Sequence, residues 1–525
     1  MSGGGSGRSR GRDGKDPSDT TLIVEMLQDA ALTIFHSPEG EAYIVLRDRA
    51  PFVAWGLRGE DIANLAGSMF YEQEGRVPSG QSVGGAVREL MAEALRSGSE
   101  HRVFVRVAEV NGVVYLDLAN ASNEVGMVVP GAWDLTRDPD IYFRRPKGQL
   151  ALPTPVRGGH LRQLRPFVNF SSPDEFNLMV TVVTSWLRPD IPQPVLVLHG
   201  EQGTAKTTTA RLLKGLVDPS SPSSRTPPDQ ARDLMIWARN AWVMSIDNVD
   251  KISPKLSDGL CRISTGGGYA TRRLYADAEE MTFDVMRPIV LNGIGQIASR
   301  GDLLDRAVML ELPSLDREDR MTVAELNAGY EAVRPKLLGA LLDVVASGLD
   351  VVGEVPLPEL PRMADFATWG YAVAGAIGSS GQEFLSVYEG NRVAALRVAL
   401  EASPVGLAIL NFVQEKGKWS GSMTALLKEI GSRVDGIFKG PYFPHTPAAL
   451  GTQLVRLAPA LLAHGVKVDR TRYGKGGDRI VTLTLVPAVV SPVSDVSPGA
   501  VKPPVKRGAD DADGADEPPE GEPES

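Results

Sequence analysis

The feature that most constrains the fold of this chain is a short apolar strand followed by a glycine-containing loop and a helix. The strand is PVLVLHG at 194–200, and the helix is predicted at 207–216. An apolar, β-branched run of this length is typical of a buried strand in a parallel sheet. Residues 200–208 have the sequence GEQGTAKTT, a G-x-x-G-x-x-K-T pattern. A strand before and a helix after are the context in which such a loop binds phosphate.

The residues of this loop predict how ATP and Mg²⁺ would be held. Gly200 and Gly203 permit backbone angles and a close approach that side chains would block, and the helix N-terminus adds partial positive charge. Lys206 is predicted to reach the β- and γ-phosphates, and Thr207 to ligate Mg²⁺. Ala205 stands where the usual pattern has glycine. The predicted phosphate-contacting residues are Gly200, Glu201, Gln202, Gly203, Thr204, Ala205, Lys206, Thr207 and Thr208.

A second apolar run, WVMSI at 242–246, ends at Asp247. A carboxylate at the carboxyl edge of a strand beside the phosphate loop can hold Mg²⁺ through water, so Asp247 is predicted to share the metal with Thr207. The alternative is an acid that caps the next turn. Asn248 stands where an acid would polarise the attacking water. Either Asp250 or a helix residue takes that role, or Asn248 orients the water without acting as a base.

Two later segments supply further candidates. RPIVLNG at 287–293 is an apolar strand ending at Asn292, whose amide suits sensing of the γ-phosphate, although Asn-Gly is also a plain turn dipeptide. In SRGDLLDRAVMLELP at 299–313, Arg306 precedes a strand, a position that suits an arginine finger reaching the nucleotide of a neighbouring subunit. A local salt bridge is the alternative for Arg306.

These segments resemble, in their order, the ATPase part of phage and poxvirus-type primase-helicases, AAA+ enzymes close to superfamily-three helicases. The motifs are GEQGTAKTT, WVMSIDN, STGGGYATRRLYAD, IVLNG and DRAVMLELP. The resemblance covers 151–313 and, more loosely, the region after it. It implies a hexameric ring in which Arg272 and Arg273 lie on a hairpin that contacts DNA; an exposed basic hairpin without a partner is the alternative. No priming activity is predicted.

The region 403–486 has the predicted order of a winged helix. Three helices, at 405–415, 423–430 and 446–463, are followed by two strand-like runs around a glycine-rich turn. The helix at 446–463 would enter the major groove of DNA, with basic residues of the wing on the backbone. Winged helices also serve as protein-interaction modules, so this alternative stays open. The predicted DNA-binding residues of the wing are Arg470, Arg472, Lys475 and Arg479.

The predicted fold class is therefore α/β: a P-loop AAA+ core with a parallel sheet, between a small α/β domain and helical and winged-helix regions. Within the small domain, helices are predicted at 21–35 and 83–96. Both tails lack hydrophobic periodicity. The predicted parts are a disordered tail at 1–19, an α/β domain of unknown role at 20–150, the ATPase core with a preceding helical segment at 151–313, a helical domain at 314–402, the winged helix at 403–486 and a disordered acidic tail at 487–525.

Composition bounds the compartment and the partners. The single cysteine, Cys261, excludes a disulfide framework and a cysteine-rich zinc site. The N-terminus lacks the apolar run of a signal peptide, and no apolar stretch makes a convincing span, so a cytoplasmic protein without a membrane partner is expected. The net charge is −10, but acids concentrate at 510–524, which leaves the folded part able to present basic grooves.

The sequence thus predicts an ATP-hydrolysing DNA helicase or translocase of phage or mobile-element replication. Its expected partners are single- and double-stranded DNA and copies of itself, with a primase or polymerase as a further candidate. A second class stays open: an AAA+ nucleotide switch or protein-remodelling ATPase, for example in defence, whose winged helix docks on protein. Stimulation of ATP turnover by single-stranded DNA distinguishes the two classes.

Overall fold

A computed structural model provides the structure of the protein. It describes residues 17–249, 252–267, 269–272, 280–283, 285–293, 301–316, 318, 320–357, 361–401, 403–433, 443–473 and 478–487. Helices and strands alternate along these residues in a mixed α/β fold.

Three helices pack on a small antiparallel sheet at the start of the described chain. The sheet has the order β1-β2-β3. The predicted helix at 21–35 is wrong in its second half, because residues 31–36 form a strand that pairs with β2. Thr33, Ile34 and Phe35 are β-branched or aromatic residues, which favour a strand once a partner is present. The elements are α1 (Asp19–Ala30), β1 (Ala31–His36), β2 (Ala42–Leu46), β3 (Ala54–Gly56), α2 (Glu60–Glu74) and α3 (Gly80–Ser97).

A four-stranded antiparallel meander follows and packs on the downstream helices. Its strands have the order β5-β6-β7-β8. Strand β4 precedes the meander along the chain and β9 follows it, and these two short strands pair parallel with each other. Val114, Leu116 and Val128 belong to the same hydrophobic core as Leu338 and Leu341 far along the chain. The predicted boundary at residue 150 stays a prediction, but apolar packing continues across it. The strands are β4 (Val103–Phe104), β5 (Val107–Val110), β6 (Val113–Asp117), β7 (Val125–Val129), β8 (Ala132–Thr136) and β9 (Tyr142–Phe143).

The central element is a four-stranded sheet with the order β11-β14-β10-β15, parallel throughout. The predicted α/β class with a parallel sheet is confirmed. A 3-10 helix at Leu161–Phe167 precedes this part, so the predicted preceding helical segment begins later than residue 151. The elements are α4 (Pro173–Ser185), β10 (Val195–His199), α5 (Lys206–Val217), α6 (Ala231–Asn240), β11 (Met244–Ile246), α7 (Pro254–Thr265), β12 (Tyr269–Arg272), β13 (Glu280–Phe283), β14 (Ile289–Asn292), α8 (Gly301–Leu304) and β15 (Ala307–Glu311).

The parallel sheet separates two apolar layers. Leu196 and Leu198 of β10 belong to one hydrophobic cluster, whereas Val195 and Val197 belong to the other. Successive side chains of a strand point to opposite faces, so a strand covered on both faces must be apolar at every position. Burying each such side chain contributes about 1.5–3 kcal/mol. This is why the residues at 194–198 are all apolar rather than alternately apolar and polar.

Helices dominate the chain after β15, and a small domain closes the described part. That domain has the order helix, strand, helix, helix, strand, strand, and its sheet has the order β16-β18-β17. Strand β16 was not predicted, because its sequence KWSGS is polar and it forms by pairing with β18. The elements are α9 (Val323–Val351), α10 (Ala364–Ala374), α11 (Gly381–Glu401), α12 (Pro404–Lys416), β16 (Lys418–Ser422), α13 (Met423–Gly431), α14 (Pro447–Ala463), β17 (Val466–Tyr473) and β18 (Asp478–Leu485).

Across the described helices, no single one is long and apolar enough to cross a membrane, although the bent pair 381–401 and 404–416 has suitable length and composition together.

A buried ion cluster joins the meander to α5. Asp218, directly after α5, contacts Lys214 of that helix (Nζ–Oδ2, 2.9 Å) and Arg106 (Nε–Oδ1, 3.1 Å). Its Oδ2 also accepts the backbone N–H groups of Trp242 (3.1 Å) and Val243 (3.0 Å), which lead into β11. Burial alone would raise the pKa of the Asp218 carboxyl, but Lys214 and Arg106 outweigh burial and lower the pKa to about 2. The cluster therefore fixes the end of α5 relative to β11.

A second ionic group lies where the meander meets the core. Arg188 contacts Glu109 of β5 (Nε–Oε2, 3.2 Å) and Asp190 (Nη2–Oδ2, 2.8 Å), and its guanidinium lies over the ring of Trp369. Burial, followed by a hydrogen bond with Asp190, raises the pKa of the Glu109 carboxyl to about 7. The carboxylates of Glu109 and Asp190 thus pair with one arginine in a partly buried environment.

We expect Glu109→Gln to flatten the pH dependence of stability between about pH 4.5 and 7. The raised pKa means that folded protein holds a proton that unfolded protein releases, so this contribution is present below the unfolded pKa and lost as pH rises through the folded one. Melting temperatures of both proteins across this window provide the measurement. Parallel curves for the variant and the wild type would contradict the assignment to Glu109.

Candidate functional site

The loop between β10 and α5 has a backbone that its glycines permit. Gly200 has φ +143°, and a Cβ there would lie 2.5 Å from the carbonyl oxygen of Leu312. Ala205 has φ +63° and stands at the N-cap of α5. The left-handed region costs an alanine about 1–2 kcal/mol, so replacing the usual glycine is less neutral than one methyl group implies.

Lys206 is the first residue of α5, and its ammonium points back into the loop. Its Nζ donates to the carbonyl oxygens of Gly200 (2.9 Å) and Glu201 (2.5 Å) and lies 3.3 Å from Thr204 Oγ1. Burial lowers the pKa of Lys206. The Lys206 side chain thus folds back into the concave loop, where the N-terminus of α5 adds partial positive charge.

Asp247 and Asn292 come to Thr207 because of the strand order. Strand β14 lies between β10 and β11, so the residues after these strands meet at one edge of the sheet. Thr207 Oγ1 lies 3.2 Å from Asp247 Oδ1 and 3.5 Å from Asn292 Nδ2. The backbone N–H of Asp247 donates to the carbonyl oxygen of Arg225 (2.9 Å), which extends the sheet by one bridge beside β11.

Asn248 adopts a left-handed backbone with φ +57°. Its N–H donates to Asp247 Oδ1 (2.8 Å) and Asn292 Oδ1 (3.1 Å), while its side chain is exposed. Asparagine tolerates this conformation better than most residues, including glutamate. The replacement of an acid at this position therefore matches the local backbone. Asp250, the other candidate for activating water, lies outside the described residues.

These groups surround a cavity of ≈ 260 Å³. It is lined by residues 202–208, Asp247, Asn248, Asn292 and Gly293. Gly200 and Glu201 shape the loop behind this lining, and Glu201 Oε2 lies 3.3 Å from Ser314 Oγ after β15. Gly293 and Ser314 were missed by sequence reasoning; the Asn-Gly dipeptide was the available signal for the first, and none pointed to the second.

Arg306 lies in the turn between α8 and β15 and is half-buried. In the described part of the chain it is not among the residues that line the cavity. Its backbone N–H donates to Leu303 O (3.0 Å), and its carbonyl accepts from the N–H of Val195 (3.0 Å) at the start of β10. The turn is therefore tied to the strand that leads into the loop, and action of Arg306 across a subunit boundary stays a prediction.

The predicted basic hairpin is partly described. β12 and β13 pair antiparallel, with Arg272 opposite Glu280. Arg273 lies outside the described residues, as does the segment that connects the two strands. The structure thus contains the two strands of a hairpin at this position.

The C-terminal basic residues lie on α14 and the β17–β18 pair. Arg456 is exposed on α14. Arg470 of β17 is also exposed, and its Nη2 donates to the carbonyl oxygen of Gly451 in α14 (2.5 Å). Arg472 and Arg479 are directly opposite in register. The other predicted wing residue, Lys475, lies outside the described residues.

Comparisons with known proteins agree with a replication protein. Residues 161–389 match the family model described as actinomycete integrative conjugative element replication protein, and residues 405–497 match the model of the AICE RepA C-terminal domain. Over both segments the chain is similar to these replication proteins. No curated protein matches the chain.

Two solved structures are similar at a distance. The structure titled SCCmec type IV Cch, active helicase, has a TM-score of 0.44 and 12% identity, and the match covers 87% of this chain and 93% of that one. The A form apo structure of the NrS-1 C terminal region has a TM-score of 0.38 and 12% identity, with coverage of 90% and 100%.

Proposed function

We propose that this protein is an ATP-hydrolysing DNA helicase or translocase that acts as a ring in the replication of a mobile element. The observation that carries the proposal is the meeting of Lys206, Thr207, Asp247 and Asn292 around one cavity at the carboxyl ends of parallel strands. Such an edge is where open α/β sheets bind ligands. The similarity of residues 161–389 to a replication protein family supports the biological setting.

The chemistry of the cavity fits a nucleoside triphosphate with Mg²⁺. Backbone N–H groups of the loop and the start of α5 would surround the phosphates, and the Lys206 ammonium would exchange its carbonyl partners for phosphate oxygens. The adjacent oxygens of Thr207 and Asp247, 3.2 Å apart, suit Mg²⁺, which keeps several waters and takes few protein ligands. Among the residues that the structure describes, no cluster of three or more His, Cys, Asp or Glu side chains offers a competing site.

Hydrolysis would require an oriented water and a further positive charge. The Asn292 amide and the Asn248 side chain lie beside Thr207 and Asp247 and would orient the water through hydrogen bonds. They would not act as a base, because an amide takes up no proton at neutral pH. The transferring phosphoryl group is usually stabilised by another cation. Arg306 of a neighbouring subunit is our candidate, and a ring, taken here as a hexamer by resemblance, would supply it at every site.

DNA would be bound at two places. The β12–β13 hairpin carries Arg272 and is continued by Arg273, and the C-terminal domain has the helix and strand order typical of a winged helix. Exposed Arg456 on α14, together with Arg472 of β17 and Arg479 of β18, would supply cations for the phosphate backbone.

A nucleotide switch or protein-remodelling ATPase is the second candidate, favoured by Asn248 at the position of the water-activating acid. The discriminating experiment measures ATP turnover with and without single-stranded DNA while recording the mass of the assembly. Stimulation by DNA in an oligomer supports the helicase or translocase. Turnover indifferent to DNA, in an assembly of any size, supports the second candidate.

We expect Arg272→Ala combined with Arg273→Ala to weaken binding of single-stranded DNA and to flatten its salt dependence. Each lost phosphate contact lowers the slope of log K against log salt by about 0.7, because fewer counterions are released. The pair Arg88→Ala with Arg96→Ala, exposed on α3, is a control with the same change in charge. An unchanged slope in the hairpin variant would place the hairpin outside the DNA path.

A further inference from the structure

Arg306 is preceded by a buried carboxylate. Asp305 is 5% exposed, and its side chain contacts Arg362 (Nη1–Oδ2, 2.8 Å) and, more distantly, Arg392 (Nε–Oδ1, 3.9 Å). Arg362 is 43% exposed, so the buried member of this pair is the Asp305 carboxylate, which would be left without its nearest cation if the contact broke. The Asp305 carboxylate is therefore oriented mainly by Arg362, and Arg392, which lies closer to Glu389 (3.2 Å), adds a weaker attraction.

This constraint acts directly on Arg306. The two residues share a peptide bond, and the backbone of Arg306 is already tied to Leu303 on one side and Val195 on the other. Fixing the Asp305 side chain completes the restraint on this turn, so it sets the direction in which the Arg306 side chain leaves the backbone. A group that must reach a distant phosphate depends strongly on its starting direction.

One helix, α11, holds both sides of the turn. Arg392 in α11 faces Asp305, and the adjacent Asn391 forms paired hydrogen bonds with the backbone of Met309 in β15. The Met309 N–H donates to Asn391 Oδ1 (3.0 Å), and Asn391 Nδ2 donates to Met309 O (2.5 Å). The amide takes the place of a neighbouring strand at the edge of the sheet. A displacement of α11 would therefore move the turn that carries Arg306.

The same helix is the support of the C-terminal domain. α14, the predicted DNA-binding helix, packs against both α11 and α8. A cleft of ≈ 570 Å³ lies beside this contact, with Asp305 and Arg392 on one wall. Leu462 of α14 and Lys467 of β17 lie on the other wall. Leu396 and Leu400 of α11 and Leu454 of α14 belong to one buried hydrophobic cluster, so a displacement of α14 would be passed on to α11.

We propose that Asp305 is a positioning residue for Arg306, and that α11 conveys engagement of DNA by the C-terminal domain to this turn. The inference rests on the proposed function, in which Arg306 completes the nucleotide site of a neighbouring subunit. A shift of α14 acts on α11, which holds β15 through the Asn391 hydrogen bonds and approaches Asp305 through Arg392. DNA stimulation of ATP turnover then depends on Asp305, a residue outside the nucleotide cavity.

Asp305→Asn tests this inference, since it keeps the shape of the side chain and removes its charge. Binding of a fluorescent ATP analogue should be unchanged, while DNA-stimulated turnover should fall roughly ten- to a hundredfold, the range produced by small misplacement of a catalytic group. Arg362→Gln should act in the same direction. The matched control Arg397→Gln removes an exposed pair of α11 with Glu401 (2.9 Å) and should leave turnover unchanged.

Mixed assemblies provide the decisive readout. Asp305→Asn subunits should regain activity when mixed with Lys206→Ala subunits, because each lacks a different half of the site, but not when mixed with Arg306→Ala. Arg306→Ala with Lys206→Ala is the reference mixture. If the reference stays inactive despite co-assembly, the shared site is wrong and the inference falls with it. If the reference recovers while Asp305→Asn retains full DNA stimulation or is not complemented by Lys206→Ala, the role of Asp305 alone is contradicted.

Discussion

Lys206→Ala is expected to abolish ATP hydrolysis while leaving the fold intact. The ammonium is the cation of the loop itself, and removal of one such stabilising group from a site of developing charge lowers the rate on the order of 10²–10³-fold or more. The loop keeps its own bond from Thr204 Oγ1 to Glu201 O (3.1 Å), so its shape does not depend on Lys206 alone. Phosphate release and circular dichroism measure the two expectations.

The matched control is Lys255→Ala, which removes an exposed lysine near the start of α7. Its turnover should equal that of the wild type, because this ammonium is outside the lining of the cavity. Turnover of Lys206→Ala at the wild-type rate would refute the ATPase proposal. Loss of turnover together with loss of helical signal would instead assign Lys206 a structural role, through its hydrogen bonds to the carbonyl oxygens of Gly200 and Glu201.

Asp218→Asn is expected to lower the stability of the protein by about 3–5 kcal/mol, the effect of removing one partner from a buried ion pair. Two buried cations, Lys214 and Arg106, would lose their common anion, and an amide nitrogen would face backbone N–H groups at Trp242 and Val243. Urea denaturation followed by tryptophan fluorescence measures the loss, and Trp242 is a local reporter.

A second substitution identifies the cause. If stranded charge is responsible, adding Lys214→Met to Asp218→Asn should recover part of the stability, because only one buried cation then lacks compensation. The depressed pKa also predicts that the contribution of Asp218 is present above its unfolded pKa near 4 and is lost as pH falls towards 2. A denaturation midpoint equal to that of the wild type would contradict the role of the cluster.

Much of the phosphate-loop region could be predicted because its signals are local. A continuous apolar run, a loop with glycines and the start of a helix lie within about one strand and one helix of each other at 194–217. Hydrophobic periodicity and backbone preferences depend on residues that are neighbours along the chain, so they can be recognised in the sequence before the fold is known. The same holds for the strand endings at Asp247 and Asn292, which mark the carboxyl edge of a sheet before the order of its strands is known.

The error at 31–35 and the unpredicted strand at 418–422 have one cause. Both segments form strands through pairing with a partner, β2 in the first case and β18 in the second. Strand preference depends on neighbours across the sheet more than on the chain itself. A helix that continues smoothly in sequence can therefore end where a partner strand is available.

The sequence by itself determined the class of the sheet, the loop and the residue types that end its strands. Only the tertiary structure decided that β14 lies between β10 and β11, which brings Asn292 beside Thr207. It also decided that Asp218 meets Arg106, and that Asp305 meets Arg362 and Arg392. Apolar periodicity depends on residues that are close together in the sequence, so it can be recognised without the fold. A buried charge must be compensated where it is buried, and its partner therefore depends on which distant elements pack together.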